Sequence, residues 1–88
     1  MRFEFDPNKN RINLQKHGID FSRAEMLWQD NNAVVVESKF AVEKRFLLIG
    51  KIGETYWQAV FTMRDDNIRI ISVYRAKQKY IKIYEHLP

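Results

Sequence analysis

Between Ala33 and Tyr74 the chain keeps returning to one kind of segment. Ala33 to Val36, Phe46 to Ile52, Tyr56 to Met63 and Ile68 to Tyr74 are rich in β-branched and aromatic residues and are separated by short polar or glycine-containing breaks. Such composition suits a pleated, half-buried surface. Parallel neighbours would need crossover connections of a dozen residues or more, so consecutive runs with these links pair as an antiparallel meander. Ile52-Gly53-Glu54-Thr55 and Arg64-Asp65-Asp66-Asn67 read as hairpin turns, because glycine and aspartate tolerate the backbone angles that turns require. The Ile68 to Tyr74 run is apolar on both faces except at Arg69 and Ser72, which predicts a central strand covered on at least one side.

The flanks follow a different period. Arg2 to Phe5 alternates charge with phenylalanine and predicts a short half-buried strand. Asp6-Pro7 then starts a helix, the carboxylate capping free N–H groups and proline losing nothing at the first helical position. That helix runs to about His17, where Gly18 supplies a left-handed stop and Lys16 and His17 sit near the negative end of the helix dipole. A second helix begins after Asp20 or Ser22 and places Phe21, Ala24, Leu27 and Trp28 on one face. The last, Ala76 to His86, aligns Ala76, Tyr80, Ile83, Tyr84 and Leu87 against a side bearing Lys77, Lys79 and Lys82. The fold class is therefore α+β: a short N-terminal strand and two helices, a four-stranded antiparallel sheet, and a C-terminal helix.

Residues 1–88 make one domain, enough to bury roughly 60% of the unfolded surface. No cysteine is present, which removes disulfide and thiolate chemistry, and two distant histidines argue against a metal site. No cofactor is implied. The opening residues lack the apolar core of a secretory signal, and no run is long enough to span a bilayer, so a cytoplasmic protein without a membrane partner is expected. Of the net charge of +4, the stretch from Arg64 onward carries +3, with six basic and three acidic side chains. Charge concentrated in this way points to a polyanionic partner, the plain alternative being a solvated helix face.

Phe3, Phe5-Asp6-Pro7, Lys9, Asn13, Lys16-His17-Gly18-Ile19, Phe21 and Ala24 stand in the order and spacing of the N-terminal signature of the BrnT toxins, and the chain resembles that family. Glu43, Arg45, Ile49-Gly50, Thr62, Arg64, the run Ile68 to Ser72, Ala76 and Tyr84 extend the resemblance over nearly the whole sequence. It implies a RelE-like or ParE-like toxin fold and a metal-independent endoribonuclease that stops translation and growth by cutting RNA. It also implies a BrnA-like ribbon-helix-helix antitoxin, through which the toxin meets operator DNA indirectly and represses its own operon.

Metal-free RNA cleavage needs a base for the 2′-hydroxyl, an acid for the departing oxygen, and cations for the charge on phosphorus. Arg64, Arg75 and Lys79 are the expected phosphate cations, converging along one edge of the sheet, with Arg69, Tyr74, Lys77 and Lys82 as further RNA contacts. His17 and Tyr84 are the candidates for proton transfer. Each has a structural alternative: an imidazole before a terminating glycine can bond the last helical carbonyls, and Tyr84 lies on an apolar helix face. Trp28 and Trp57 read as core or antitoxin-contact residues.

Four positions depart from the family's pattern. Tyr74 stands where an arginine is usual and Tyr80 where an acidic residue is usual, while Ile81 and Ile83 replace charged residues. A phenol is no fixed cation and no carboxylate base. These substitutions support a second reading, a catalytically weakened or inactive BrnT-like binding module that acts with its antitoxin as a corepressor.

Overall fold

Both hairpins close over the expected residues. Ile52 pairs with Thr55 around Gly53, whose φ is 60°, and Arg64 pairs with Asn67 around Asp65 and Asp66, whose φ values are 48° and 69°. Two consecutive positive φ angles match the right-handed twist of the flanking strands, and aspartate accepts them better than most residues. The computed structural model describes residues 2–38 and 42–86. In chain order the elements are β1 (Phe3–Glu4), α1 (Pro7–His17), α2 (Phe21–Ala24), a 3-10 turn (Glu25–Gln29), β2 (Val34–Ser38), β3 (Arg45–Ile52), β4 (Thr55–Arg64), β5 (Asn67–Arg75) and α3 (Gln78–His86).

The α+β class and the meander are as expected, and the sheet gains a fifth strand. Its order is β1-β5-β4-β3-β2, with β1 parallel to β5 through Phe3↔Ile68 and Glu4↔Arg69. The Ile68 N–H donates to the Arg2 carbonyl at 2.8 Å. The sheet is therefore mixed, and β5, expected to be central, is second in the order and flanked by strands on both sides only at Ile68 and Arg69, while its helix-side residues are covered as its apolar pattern predicted. Within β5 the register shifts: Phe61 faces Ile70 and Val60 faces Ser72, leaving Ile71 unpaired in a bulge. The extra residue resets the alternation, so Ile68, Ile70 and Val73 all turn towards the helices.

Asp6 caps α1 by accepting the Asn8 N–H at 2.8 Å, and Gly18 ends it at φ 74° with its N–H on the Leu14 carbonyl. This helix has no buried apolar stripe; its one buried side chain is Asn13. The Asn13 amide donates to the carbonyls of Val73 (2.8 Å) and Ile19 (3.0 Å) and accepts the Val73 N–H (3.0 Å). It thereby imitates a neighbouring strand at the edge of β5 that short β1 leaves uncovered. Asn10 adds a bond from the Phe21 N–H at 2.7 Å. Asp20, rather than Ser22, caps the second helix by accepting the Arg23 N–H at 2.8 Å. That helix tightens after one turn into the 3-10 segment, yet Phe21, Ala24 and Leu27 are buried as its periodicity predicted.

The core lies between these helices and one face of the sheet, where Ile19, Phe21 and Leu27 pack on Leu48, Ala59, Phe61, Ile70 and Val73. Trp28 sits edge-on to Phe3 and Phe61, and Trp57 is 8% exposed, so both tryptophans serve the core. The last helix departs from expectation. It starts at Gln78, because the Ala76 N–H still bonds the Tyr56 carbonyl and the Lys77 N–H is held by the Gln58 side chain. It buries none of its residues, and Ile83 is 41% exposed. Leu87, expected on its apolar face, lies outside the described residues.

If Asn13 anchors α1, Asn13→Ala should cost about 2–4 kcal/mol in urea denaturation, since three hydrogen bonds go and buried backbone groups are left unpaired. Gln15→Ala, on the exposed side of the same helix, should change stability by less than about 0.5 kcal/mol. Equal losses in the two variants would remove the anchor.

Candidate nucleic-acid interface

The pairing register sorts every strand residue onto one of two faces. On the face away from α1 and α2, Ser38 lies opposite Arg45, the Phe46↔Phe61 pair brings Arg45 beside Thr62, Thr62 faces Arg69, and Arg69 faces Glu4. Further along the same face come Leu47, Val60 and Ser72, then Ile49, Gln58 and Tyr74. The bulge at Ile71 matters here. Residues 69 and 74 are five apart and would point to opposite sides of a regular strand, but the extra residue puts both on this face.

One end of the face is cationic, with carboxylates among the arginines. Arg69 bonds Glu4 at 3.0 Å, half-buried, and Arg64 Nε lies 3.9 Å from Glu43 Oε1 in an exposed, loose pair. Thr62 Oγ1 donates to the Lys44 carbonyl at 2.8 Å and also contacts Glu43 at 3.4 Å. Arg45 Nε is buried without a hydrogen-bond partner among the described residues.

The other end gathers His17, Tyr74 and Gln58. Asn13 and His17 are four apart on α1 and share a helix face, so the bonds from Asn13 to Val73 bring His17 against the next residue of β5. The His17 and Tyr74 rings are 5.9 Å apart and tilted by 44°. Burial, with a smaller contribution from neighbouring Tyr80, pushes the Tyr74 phenol above its ordinary pKa, keeping it neutral in the physiological range. Gln58, 1% exposed, accepts the Lys77 N–H at 2.6 Å and donates to the Tyr74 hydroxyl at 3.4 Å. A neutral phenol beside an imidazole, on a face with cations at its far end, can exchange protons with a bound phosphate ester.

The expected convergence of Arg64, Arg75 and Lys79 does not form. Arg64 pairs with Asn67 at one end of the β4–β5 hairpin and Arg75 with Trp57 at the other. Seven residues of extended chain separate them, about 24 Å. Arg75 turns to the side of Trp57, its guanidinium over that ring at 5.2 Å, and it also lines a pocket of about 240 Å³ with Tyr56 and Ile81 of α3. Lys79 is exposed on α3 with its ammonium over the Tyr80 ring at 4.9 Å, and Lys77 and Lys82 are exposed nearby. Charge counts along the chain cannot foresee this, because antiparallel folding sends positions 64 and 75 to opposite ends.

Tyr84 is committed elsewhere. Its hydroxyl donates to Asp30 Oδ2 at 2.8 Å, and its ring meets Tyr56 edge-on at 5.3 Å, while the Tyr56 hydroxyl bonds Glu85 at 2.7 Å. Burial and the Asp30 hydrogen bond push its phenol up to about 12. Asp30 also accepts the N–H groups of Asn32 and Lys51 at 2.9 Å each, covering β3 where β2 has ended. Burial alone would raise the Asp30 carboxyl, but these hydrogen bonds and the Lys51 charge outweigh it and hold the pKa below 3.8. The roles of Gln58, Asn13 and Asp30 escaped sequence reasoning, because the bonds that define them reach residues 19 (Gln58 to Lys77), 60 (Asn13 to Val73) and 21 and 54 (Asp30 to Lys51 and Tyr84) positions away.

A mixed sheet with α1 and α2 packed on one face, arginines and Tyr74 on the other, α3 tied over the Gln58 end of that second face, and the α1 imidazole beside Tyr74 makes a small basic α+β domain of the kind that acts on nucleic acid. The model of a family described as the BrnT ribonuclease toxin of type II toxin-antitoxin systems matches residues 5–79, and the chain belongs to that family. Its activity class is accordingly that of a ribonuclease toxin, with RNA as substrate and a cognate antitoxin as partner. A comparison with curated proteins gives no match. No described helix is long and apolar enough to cross a membrane.

The Asp30 network has a defined acid response. A carboxyl held below 3.8 in the folded state contributes stability that is present above that value and lost as pH falls through the folded pKa. Asp30→Asn should lower the urea midpoint at neutral pH and flatten its decline in acid, and Tyr84→Phe should cost about 1 kcal/mol at neutral pH. An unchanged acid slope in Asp30→Asn would rule the network out as its source.

Proposed function

We propose that the substrate RNA lies across the sheet face opposite α1 and α2 and is cleaved there without a metal by His17 and Tyr74. The observation that carries this reading is the placement of that imidazole and that phenol, 5.9 Å apart, at one end of a face whose other end bears Arg45, Arg64 and Arg69. His17 takes the proton of the 2′-hydroxyl as its oxygen bonds to phosphorus, and Tyr74 gives its proton to the departing 5′-oxygen as the P–O5′ bond breaks. The products are a 2′,3′-cyclic phosphate and a 5′-hydroxyl. Proton exchange with water then resets both side chains.

Lys77, Lys79 and Lys82 hold the RNA on the α3 side, and Arg64 and Arg69 hold flanking phosphates at the far end, so the cations act on successive nucleotides rather than on one phosphate. Arg75 sits at the margin, on Trp57. In the cell the protein acts in the cytoplasm, where RNA cleavage stops translation and growth. Its partner is a BrnA-like ribbon-helix-helix antitoxin, and the pair binds operator DNA through the antitoxin. The corepressor reading draws support from one feature of the same site: the adjacent Tyr74 and Tyr80 leave it without the charged side chains usual in the family.

Purified toxin, free of antitoxin, should cut RNA in the presence of EDTA. His17→Ala and Tyr74→Phe should each lower kcat by about 10²-fold or more, whereas Arg64→Ala and Arg69→Ala should mainly raise KM. Absence of cleavage together with normal growth on induction would establish the binding-module reading, in which case Tyr74→Arg combined with Tyr80→Glu should create activity.

A further inference from the structure

Gln58 occupies a position that packing alone does not explain. It is 1% exposed in the middle of β4, beside the fully buried Ile49, where an apolar side chain would avoid burying an amide. Both ends of that amide are used. A backbone N–H can only donate, so the Gln58 atom 2.6 Å from the Lys77 nitrogen is the carbonyl oxygen Oε1. This fixes the orientation of the group and turns its N–H₂ towards Tyr74, 3.4 Å away. The Tyr74 oxygen therefore faces a donor, and its own proton has to point elsewhere. The His17 ring of α1 lies 5.9 Å from the Tyr74 ring, and Tyr80 of α3 is the other titratable neighbour.

We propose that Gln58 is a positioning residue that makes Tyr74 a hydrogen-bond donor towards the RNA phosphate while tying the first residues of α3 to the sheet. This rests on the reading of Tyr74 as a reacting group. Gln58 touches no reacting atom. It acts by polarity, occupying an acceptor site on the phenol oxygen so that the proton needed by the leaving 5′-oxygen is not spent on an internal bond. Its backbone partner explains why the direction of the amide cannot drift: rotating the group would set N–H₂ against N–H at Lys77.

The test is Gln58→Glu, close to isosteric, with kcat, KM and urea stability followed across the neutral range. Glutamate still accepts the Lys77 N–H. Once ionised it offers only acceptors, so Tyr74 must turn its proton inward; protonated, it regains a donor. The expected result is a kcat that falls by about tenfold or more as pH rises through the new carboxyl's titration and returns on acidification, with KM little changed, in protein shown to be folded at each pH and without such a fall in the parent. A kcat equal to the parent's throughout, or a loss of the same size at every pH, overturns the proposal. If Gln58→Glu does not fold, Gln58→Asn takes its place, since it keeps the amide but ends short of Tyr74; a lowered kcat at constant KM supports the role and an unchanged kcat overturns it. Tyr74→Phe separates the two levels of the argument. If it cleaves as the parent does, the reactive pair itself is wrong; if it is impaired while Gln58→Glu is not, only the role of Gln58 fails.

Discussion

The side-chain amide of Asn13 is the joint on which the arrangement turns. α1 has no apolar stripe to drive it onto the sheet, and Asn13 is its one buried residue. Three hydrogen bonds to Val73 and Ile19 hold the helix where a sixth strand would otherwise pair with β5. Because His17 follows four residues later on the same helix face, the contact that docks α1 also delivers the imidazole to Tyr74. Fold stability and site geometry thus share one polar interaction.

The bulge at Ile71 does the complementary work within the sheet. It lets Ile68, Ile70 and Val73 fill the core together while Arg69, Ser72 and Tyr74 collect on the opposite face. Asp30 covers the exposed end of β3 much as Asn13 covers β5, and Tyr84 ties α3 to that carboxylate. Both devices satisfy backbone groups that an open strand edge would leave free to pair with another chain. The cost of a lightly packed α3 is contained by tethers at its start, through Gln58, and near its end, through Tyr84 and Glu85.

The fold was largely legible in the sequence because its signals are local: aspartates and glycine at the hairpin turns, Asp6-Pro7 and Gly18 at the ends of α1, and apolar period in the strands. The parallel partnership of β1 was not, since Phe3 and Ile68 meet across most of the chain. Nor was the bulge, which strict alternation hides by making β5 look apolar on both faces. The site was legible only in part. His17 was singled out by its chemistry and the family motif, Tyr74 only as an RNA contact that departs from the family pattern, and Tyr84, the tyrosine expected in proton transfer, is held by Asp30 instead; Gln58 gives no signal until Lys77 is placed beside it. The expected gathering of Arg64, Arg75 and Lys79 failed because nearness in sequence is inverted by a hairpin.

Membership in the BrnT ribonuclease toxin family fixes what kind of protein this is; the face of the sheet opposite α1 and α2 is the proposed place of its chemistry. The most direct measurement is an NMR titration of the protein with a short RNA made non-cleavable by a 2′-deoxy substitution at the target nucleotide. The shifts are expected at Gln58, Thr62, Ser72, Tyr74 and Lys77, on the face bearing the arginines. Shifts confined to the exposed side of α1, around Ile12 and Leu14, or to the α2 surface, would place the RNA on the wrong side of the sheet and contradict the assignment.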